Sequence, residues 1–164
     1  MRTLLESGLP AAIDADALNI LSAHPEMKAL LRPHHILTPH PGEAARLLGR
    51  KCCDPIADAQ ELSSFGCTAV LKGARRVIAS EKNCFISVSG GCGMARGGSG
   101  DVLTGITGAL LAQRFTGAYD FCAAIACEIH GQAGELAQEE YGSYAMNSAD
   151  IIEFLPEVFK RYAN

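Results

Sequence analysis

The 164-residue sequence has no basic tract, no CxxC pair and no apolar run of membrane-spanning length. Each absence removes a class of function. Lys and Arg total 14 against 18 Asp and Glu, giving a net charge of −4, and no aromatic cluster stands beside a Lys or Arg. A nucleic-acid partner would require a positive footprint on this chain, so nucleic acid is not expected. No apolar segment approaches the ~20 residues of a spanning helix, and the opening "MRTLLESGLP" lacks a signal-peptide core. A membrane partner is therefore not expected, and the expected compartment is the cytoplasm. The seven cysteines are odd in number; Cys52 and Cys53 are adjacent, while Cys122 and Cys127 are five apart. That pattern fits reduced thiols acting as small apolar residues better than a disulfide framework or a metal site. Repeats, low-complexity tracts and linkers are also absent, so one domain over residues 1–164 is expected. With 48% hydrophobic residues the chain can bury a real core.

What is present alternates. "LPAAID" (9–14) reads as a short buried strand followed by a helix from "ADALNILSAH". "PEMKALLRP" is a second short helix stopped by Pro33, and "HHILTPH" a second strand. "PGEAARLLGR" has helical apolar spacing with Glu43 in its first turn, where the helix dipole favours it. "DPIADAQELSSFG" is an amphipathic helix closed by Gly66, and "CTAVLKG" a third strand. "RRVIAS" and "CFISVS" predict a hairpin around "EKN". Helices are expected over 101–114, 118–140 and 147–160, the last bent or restarted at Pro156. The alternation predicts an α/β fold, a mostly parallel sheet between helical layers. Only two or three parallel-type strands and a hairpin are visible, a thin sheet for so many helices. That suggests either the later part of a larger domain or assembly with copies of itself.

The unusual residues all follow strands: Asp14 and Asp16 the first, His40 the second, Lys72 the third, and the glycine loop the hairpin. In such sheets ligands gather beyond the carboxyl ends of strands. The loop "SGGCGMARGGSGDVLTG" (89–105) holds six glycines in the eleven residues from Gly90 to Gly100. Glycines let backbone N–H groups approach a ligand, and a helix N-terminus adds free N–H groups and partial positive charge. The sequence therefore allows an anion site here, most simply for phosphate; a plain surface turn with Asp101 as helix cap is the alternative. Neither the Walker A pattern nor GxGxxG is present. A carboxylate beside an anion hole makes chemical sense if Asp101 accepts the proton of a hydroxyl attacking a terminal phosphoryl group. Lys72, Arg75, Arg76 and Arg96 can neutralise phosphate charge, with Mg²⁺ expected beside them. Asp14 and Asp16 could share Mg²⁺ or cap the next helix. His34, His35 and His130 are expected to pack or face solvent rather than bind a ligand.

"IDADALNIL", "LTPHPGEAARLLG", "VLKGARRVIA", "GMARGGSGDVLTGITGALLAQ" and "HGQAGELAQEEYG" together resemble the ribokinase-like family of ADP- or ATP-dependent NAD(P)H-hydrate dehydratases. The resemblance covers nearly the whole chain. It implies a ribokinase-like three-layer sandwich, its C-terminal portion only, and a metabolite-repair lyase acting on hydrated NADH or NADPH (the S-epimer). By the same resemblance Asp101 is the catalytic carboxylate and contacts substrate, and His40 contacts the hydrated dinucleotide. Lys72, Gly73, Ala74, Arg75 and Arg76 meet the nucleotide, as do Gly97, Gly98 and Gly100. Glu43 matches an acidic position near magnesium in related kinases, but no metal ligand is singled out. ADP or ATP is implied as co-substrate, with Mg²⁺. The hydrate hydroxyl would be phosphorylated and phosphate would then leave. Two departures stand in the loop: Gly91-Cys92 where the family has Asn-Pro, and Arg96 where it has Thr. A small-molecule kinase of the same fold, for a vitamin-precursor alcohol, and a silent nucleotide-binding subunit are the alternatives.

Overall fold

A computed structural model describes residues 1–113 and 118–162. Five strands form one sheet in sequence order: β1 (Ala11–Ile13), β2 (His35–Leu37), β3 (Thr68–Leu71), β4 (Arg76–Ala79) and β5 (Cys84–Ser87). β1, β2 and β3 pair in parallel, with Ala12 opposite Ile36 and Ile36 opposite Thr68. β3–β4 and β4–β5 are antiparallel, so four of the five strands share one direction. The helices are α1 (Arg2–Glu6), α2 (Asp16–Ala23), α3 (Pro41–Leu48), α4 (Pro55–Ser63), α5 (Ser99–Ala112), α6 (Tyr119–Ala145) and α7 (Ser148–Tyr162). A 3₁₀ segment, Pro25–Leu30, replaces the expected second short helix. α7 continues through Pro156. The end at residue 114 expected for the helix over 101–114, α5, lies outside the described residues.

Side-chain alternation in the central strands produces the layers. Ile36, Val70 and Ile78 face the core beneath α5, α6 and α7. Their neighbours Leu37, Ala69, Leu71, Val77 and Ala79 face the opposite core with Leu18, Leu21, Leu47 and Leu62. Successive parallel crossovers of one hand place α2, α3 and α4 together on that second face. The result is the expected three-layer sandwich. It brings the carboxyl ends of β1, β2 and β3 to one edge, beside the start of α5.

Local chemistry sets the helix starts. Asp54 caps α4 through Ile56 N–H and Ala57 N–H, with Pro55 at the first helical position. α3 is capped by His40, whose Nδ1 accepts from the N–H groups of Gly42 and Glu43, while Glu43 Oε2 accepts from His40 N–H at 2.8 Å. An imidazole thus takes the place usually held by Ser or Thr in a capping box. Three cysteines, Cys67, Cys122 and Cys127, are buried as expected; Cys53, Cys84 and Cys92 are exposed. All seven are unpaired. No described helix is long and apolar enough to cross a membrane.

Candidate active site

A cavity of about 770 Å³ opens at the carboxyl edge of the parallel strands. Three loops and two helices build it: the "PHPGE" turn, the Lys72–Arg76 turn, the glycine loop with the first turn of α5, and α6. His40, Lys72, Gly73, Ala74, Arg76, Gly97 and Gly100 all line it, as do Ser99 and His130. Residues predicted from three separate strand ends therefore meet in one space. Gly98 supplies the N-cap of α5 with φ 87°, a left-handed torsion that favours glycine. Among the described residues the N–H groups of Gly100 and Asp101 have no hydrogen-bond acceptor, as expected for the first turn of a helix.

Lys72 leaves the end of β3 with its own N–H bonded to Pro39 O at 2.8 Å. Its Nζ lies 2.8 Å from Asp14 Oδ1 and 3.9 Å from Glu43 Oε2. Asp14 Oδ2 also accepts from Thr104 Oγ1 on α5 at 2.8 Å. The ammonium thereby ties the segments after β1 and β2 to the end of β3, and the Asp14 carboxylate links them to α5. Asp16 takes no part: it is exposed in the first turn of α2, so the two aspartates are not a shared pair. Between them Ala15 adopts φ 49°, ψ −120°, an uncommon conformation for a residue with a side chain. It turns Asp14 inward while the chain enters α2.

Arg76 is held differently. It is 9% exposed, and among the described residues no carboxylate lies within ion-pair distance of it. Nη1 donates to Ser89 O at 3.1 Å and Cys127 O at 3.4 Å, and Nη2 lies 3.2 Å from His130 Nδ1. Burial pulls its pKa below the ordinary arginine value. His130, 3% exposed, is held down to about 3, first by burial and then by the Arg76 charge, so its ring is neutral.

The glycine loop is anchored to α6. Gly90 N–H donates to Glu135 Oε1 at 2.7 Å, and Gly93 N–H to Gln138 Oε1 at 2.9 Å. A Cβ at Gly91 would lie 2.3 Å from Gln138 Oε1, so only glycine lets that amide reach the loop. Arg96 Nη2 donates to Ser143 O and Tyr144 O at 2.8 and 2.6 Å, beyond the non-helical Gly142 near the end of α6. Both departures in the loop thus have local partners: Gly91 makes room for Gln138, and Arg96 caps carbonyls at a helix end.

Three predicted residues, Gly98, Arg75 and Asp101, are not among those that line the cavity. Arg75 is exposed and borders a neighbouring pocket with Cys53 and Ile86. Asp101 is exposed on the other side of the first turn of α5. It borders an apolar cavity of about 430 Å³ formed with Val102, Ile106, Ile152, Leu155 and Phe159. Sequence reasoning passed over Ser99, Thr104, His130 and Gln138. For the last two a signal existed. His130, Gly131, Gly134, Glu135 and Gln138 fall within about 140° of one helix face at 100° per residue. That is a stripe of polar and small residues along one side of α6.

The family model for NAD(P)H-hydrate dehydratase matches residues 1–157. The chain is 45% identical over 142 residues to the ADP-dependent (S)-NAD(P)H-hydrate dehydratase of Neisseria meningitidis, covering 81% of this chain and 47% of that protein. It is 40% identical over 160 residues to the bifunctional NAD(P)H-hydrate repair enzyme of Moorella thermoacetica, covering 93% of this chain and 29% of that one. Among solved structures, the ADP/ATP-dependent NAD(P)H-hydrate dehydratase of Bacillus subtilis co-crystallised with ATP/Mg²⁺ and soaked with CoA superposes with TM-score 0.76 at 28% identity. That match covers 93% of this chain and 56% of the other. The chain thus spans less than two thirds of the length of each of these relatives. From the match of both sequence and ribokinase-like architecture, the chain belongs to the NAD(P)H-hydrate dehydratase family.

Proposed function

We propose that this chain, as a single domain, carries out nucleotide-dependent dehydration of hydrated NADH or NADPH. The observation that carries the reading is the cavity itself. Free N–H groups at the start of α5, the Lys72 ammonium and a buried guanidinium without a carboxylate partner all bound one space. A multiply charged anion is the ligand that complements them, and the phosphates of ADP or ATP are such an anion. Lys72, Gly73, Ala74, Arg76, Gly97, Gly98 and Gly100 hold the nucleotide, with Arg75 at its outer edge. Among the described residues no three or more His, Cys, Asp or Glu side chains cluster as metal ligands. Mg²⁺ therefore enters with the phosphates as part of the co-substrate, as the preparation of the Bacillus subtilis relative with ATP/Mg²⁺ supports.

His40, half-exposed at the cavity rim, contacts the hydrated dinucleotide. Asp101 stands one residue beyond Gly100, on the solvent side of the same helical turn. From there it takes the proton of the hydrate hydroxyl as that oxygen attacks the terminal phosphorus. The bond from phosphorus to the nucleotide's bridging oxygen breaks. Phosphate, a far better leaving group than hydroxide, then departs with the former hydroxyl oxygen. The ring double bond returns as a proton leaves the adjacent carbon. The enzyme is a lyase in this reading, works in the cytoplasm and assembles with copies of itself.

The test is recovery of NADH from its hydrate with ADP or ATP and Mg²⁺, followed beside nucleotide binding by the same preparation. NADH and inorganic phosphate are expected in equal amounts. A lasting phosphorylated product would point to a small-molecule kinase. Nucleotide binding without turnover would point to a silent nucleotide-binding subunit.

A further inference from the structure

Ser99 opens α5 at the cavity wall and is 8% exposed. Its Oγ lies 3.3 Å from His130 Nε2, and the other ring nitrogen, Nδ1, lies 3.2 Å from Arg76 Nη2. A guanidinium has donors and no acceptor, so Nδ1 must accept. A neutral ring then carries its proton on Nε2, and that N–H donates to Ser99 Oγ. With its oxygen already accepting, the serine hydroxyl has its own hydrogen left to give. Among the described residues no other hydrogen bond involves that hydroxyl. The hydrogen is available to the cavity, beside the free N–H groups of Gly100 and Asp101.

We infer that Arg76 and His130 are positioning residues that fix the Ser99 hydroxyl as a hydrogen-bond donor to the phosphate bound at the start of α5. The inference rests on the nucleotide reading of this cavity. Arg76 acts on this hydroxyl through the ring, in addition to lending its charge to the cavity. Without the guanidinium, Nδ1 is free to carry the proton. Nε2 would then accept from the serine, turning the hydroxyl away from the ligand. The neutral state of His130, kept by burial and by Arg76, holds the chain of donors in one direction. A hydroxyl donating to an anionic oxygen is a charge-assisted bond, stronger than one between neutral groups.

The experiment is calorimetric titration of ADP with Mg²⁺ into the wild-type chain, Ser99→Ala, Ser99→Thr and His130→Asn. It is paired with ¹⁵N NMR of the imidazole in the wild type. Ser99→Ala is expected to weaken ADP binding roughly tenfold or more. Ser99→Thr, which keeps the hydroxyl, should restore most of it. Ser99→Ala combined with His130→Asn should bind no worse than the weaker single variant, because both remove the same donor. The imidazole should show its proton on Nε2. Should His130→Asn fail to fold, the Ser99 pair and the wild-type tautomer still decide. A proton on Nδ1, or equal ADP affinity in Ser99→Ala and wild type, overturns the inference and leaves the nucleotide reading standing. Failure of the wild-type chain to bind ADP overturns both.

Discussion

Lys72 and Arg76 stand four residues apart in the wall of the same cavity, and the fold treats their charges in opposite ways. Lys72 is paired: Asp14 at 2.8 Å and Glu43 at 3.9 Å balance it and anchor it to β1 and α3. Arg76 is more deeply buried and meets carbonyl oxygens and a neutral imidazole instead. A charge paired with carboxylates contributes to the architecture even with the cavity empty. A buried charge without one costs the empty protein stability and is best compensated when an anion arrives. The contrast therefore separates a cation that builds the site from one kept for its ligand.

Breaking the first half of the contrast should have the larger effect. Lys72→Met leaves Asp14 and Glu43 facing the cavity without their cation. ADP affinity should fall on the order of a hundredfold, and stability by about 1 kcal/mol, because the pair is partly solvated. Titration calorimetry and urea denaturation would check both numbers. Arg76→Met should do something different. ADP binding should weaken by roughly tenfold, while the empty protein gains about 1 kcal/mol, since a desolvated charge gives way to an apolar side chain of similar length. A large loss of stability on urea denaturation would show that the Ser89 and Cys127 carbonyls need the guanidinium more than its burial costs.

A third test of the contrast is in pH. His35 and His130 are both held neutral by burial, at about 4 and about 3. Both values lie below the ordinary 6.5, so the unfolded chain binds more protons between them. Stability should be complete above about pH 6.5 and decline as pH falls toward 4 and then 3. Denaturation midpoints at pH 7 and pH 4.5 would measure the slope. Arg76→Met should make it shallower, because one of the two causes holding His130 neutral is gone.

Much of this fold is legible in the sequence. Strand–helix alternation, Pro41 and Pro55 at helix starts and Gly66 after α4 are local signals, and these elements follow them closely. The gathering of Asp14, His40, Lys72 and the glycine loop at one edge follows from strand ends alone. What is not legible is direction. Asp14 and Asp16 read alike, and the torsion of Ala15 sends one inward and one to solvent. His40 reads as a rim ligand, yet its Nδ1 is already occupied in capping α3. Arg75 and Arg76 read as an equivalent pair of phosphate cations, but β4 buries Arg76 and leaves Arg75 exposed. His130 reads as helix packing; its role depends on residues 54 and 31 positions away in sequence, a separation no local pattern carries. Asp101 and Ser99 are neighbours in one turn, and the helix points them to different cavities.

That last division sets the decisive test. Asp101 is assigned the chemistry although it stands outside the nucleotide cavity, so the decisive measurement is hydrate turnover by Asp101→Asn beside its affinity for ADP. The account predicts ADP binding within a few-fold of wild type and NADH recovery slowed by at least about a hundredfold, the usual worth of a positioned base. Turnover near the wild-type rate would contradict it and remove Asp101 from the reaction.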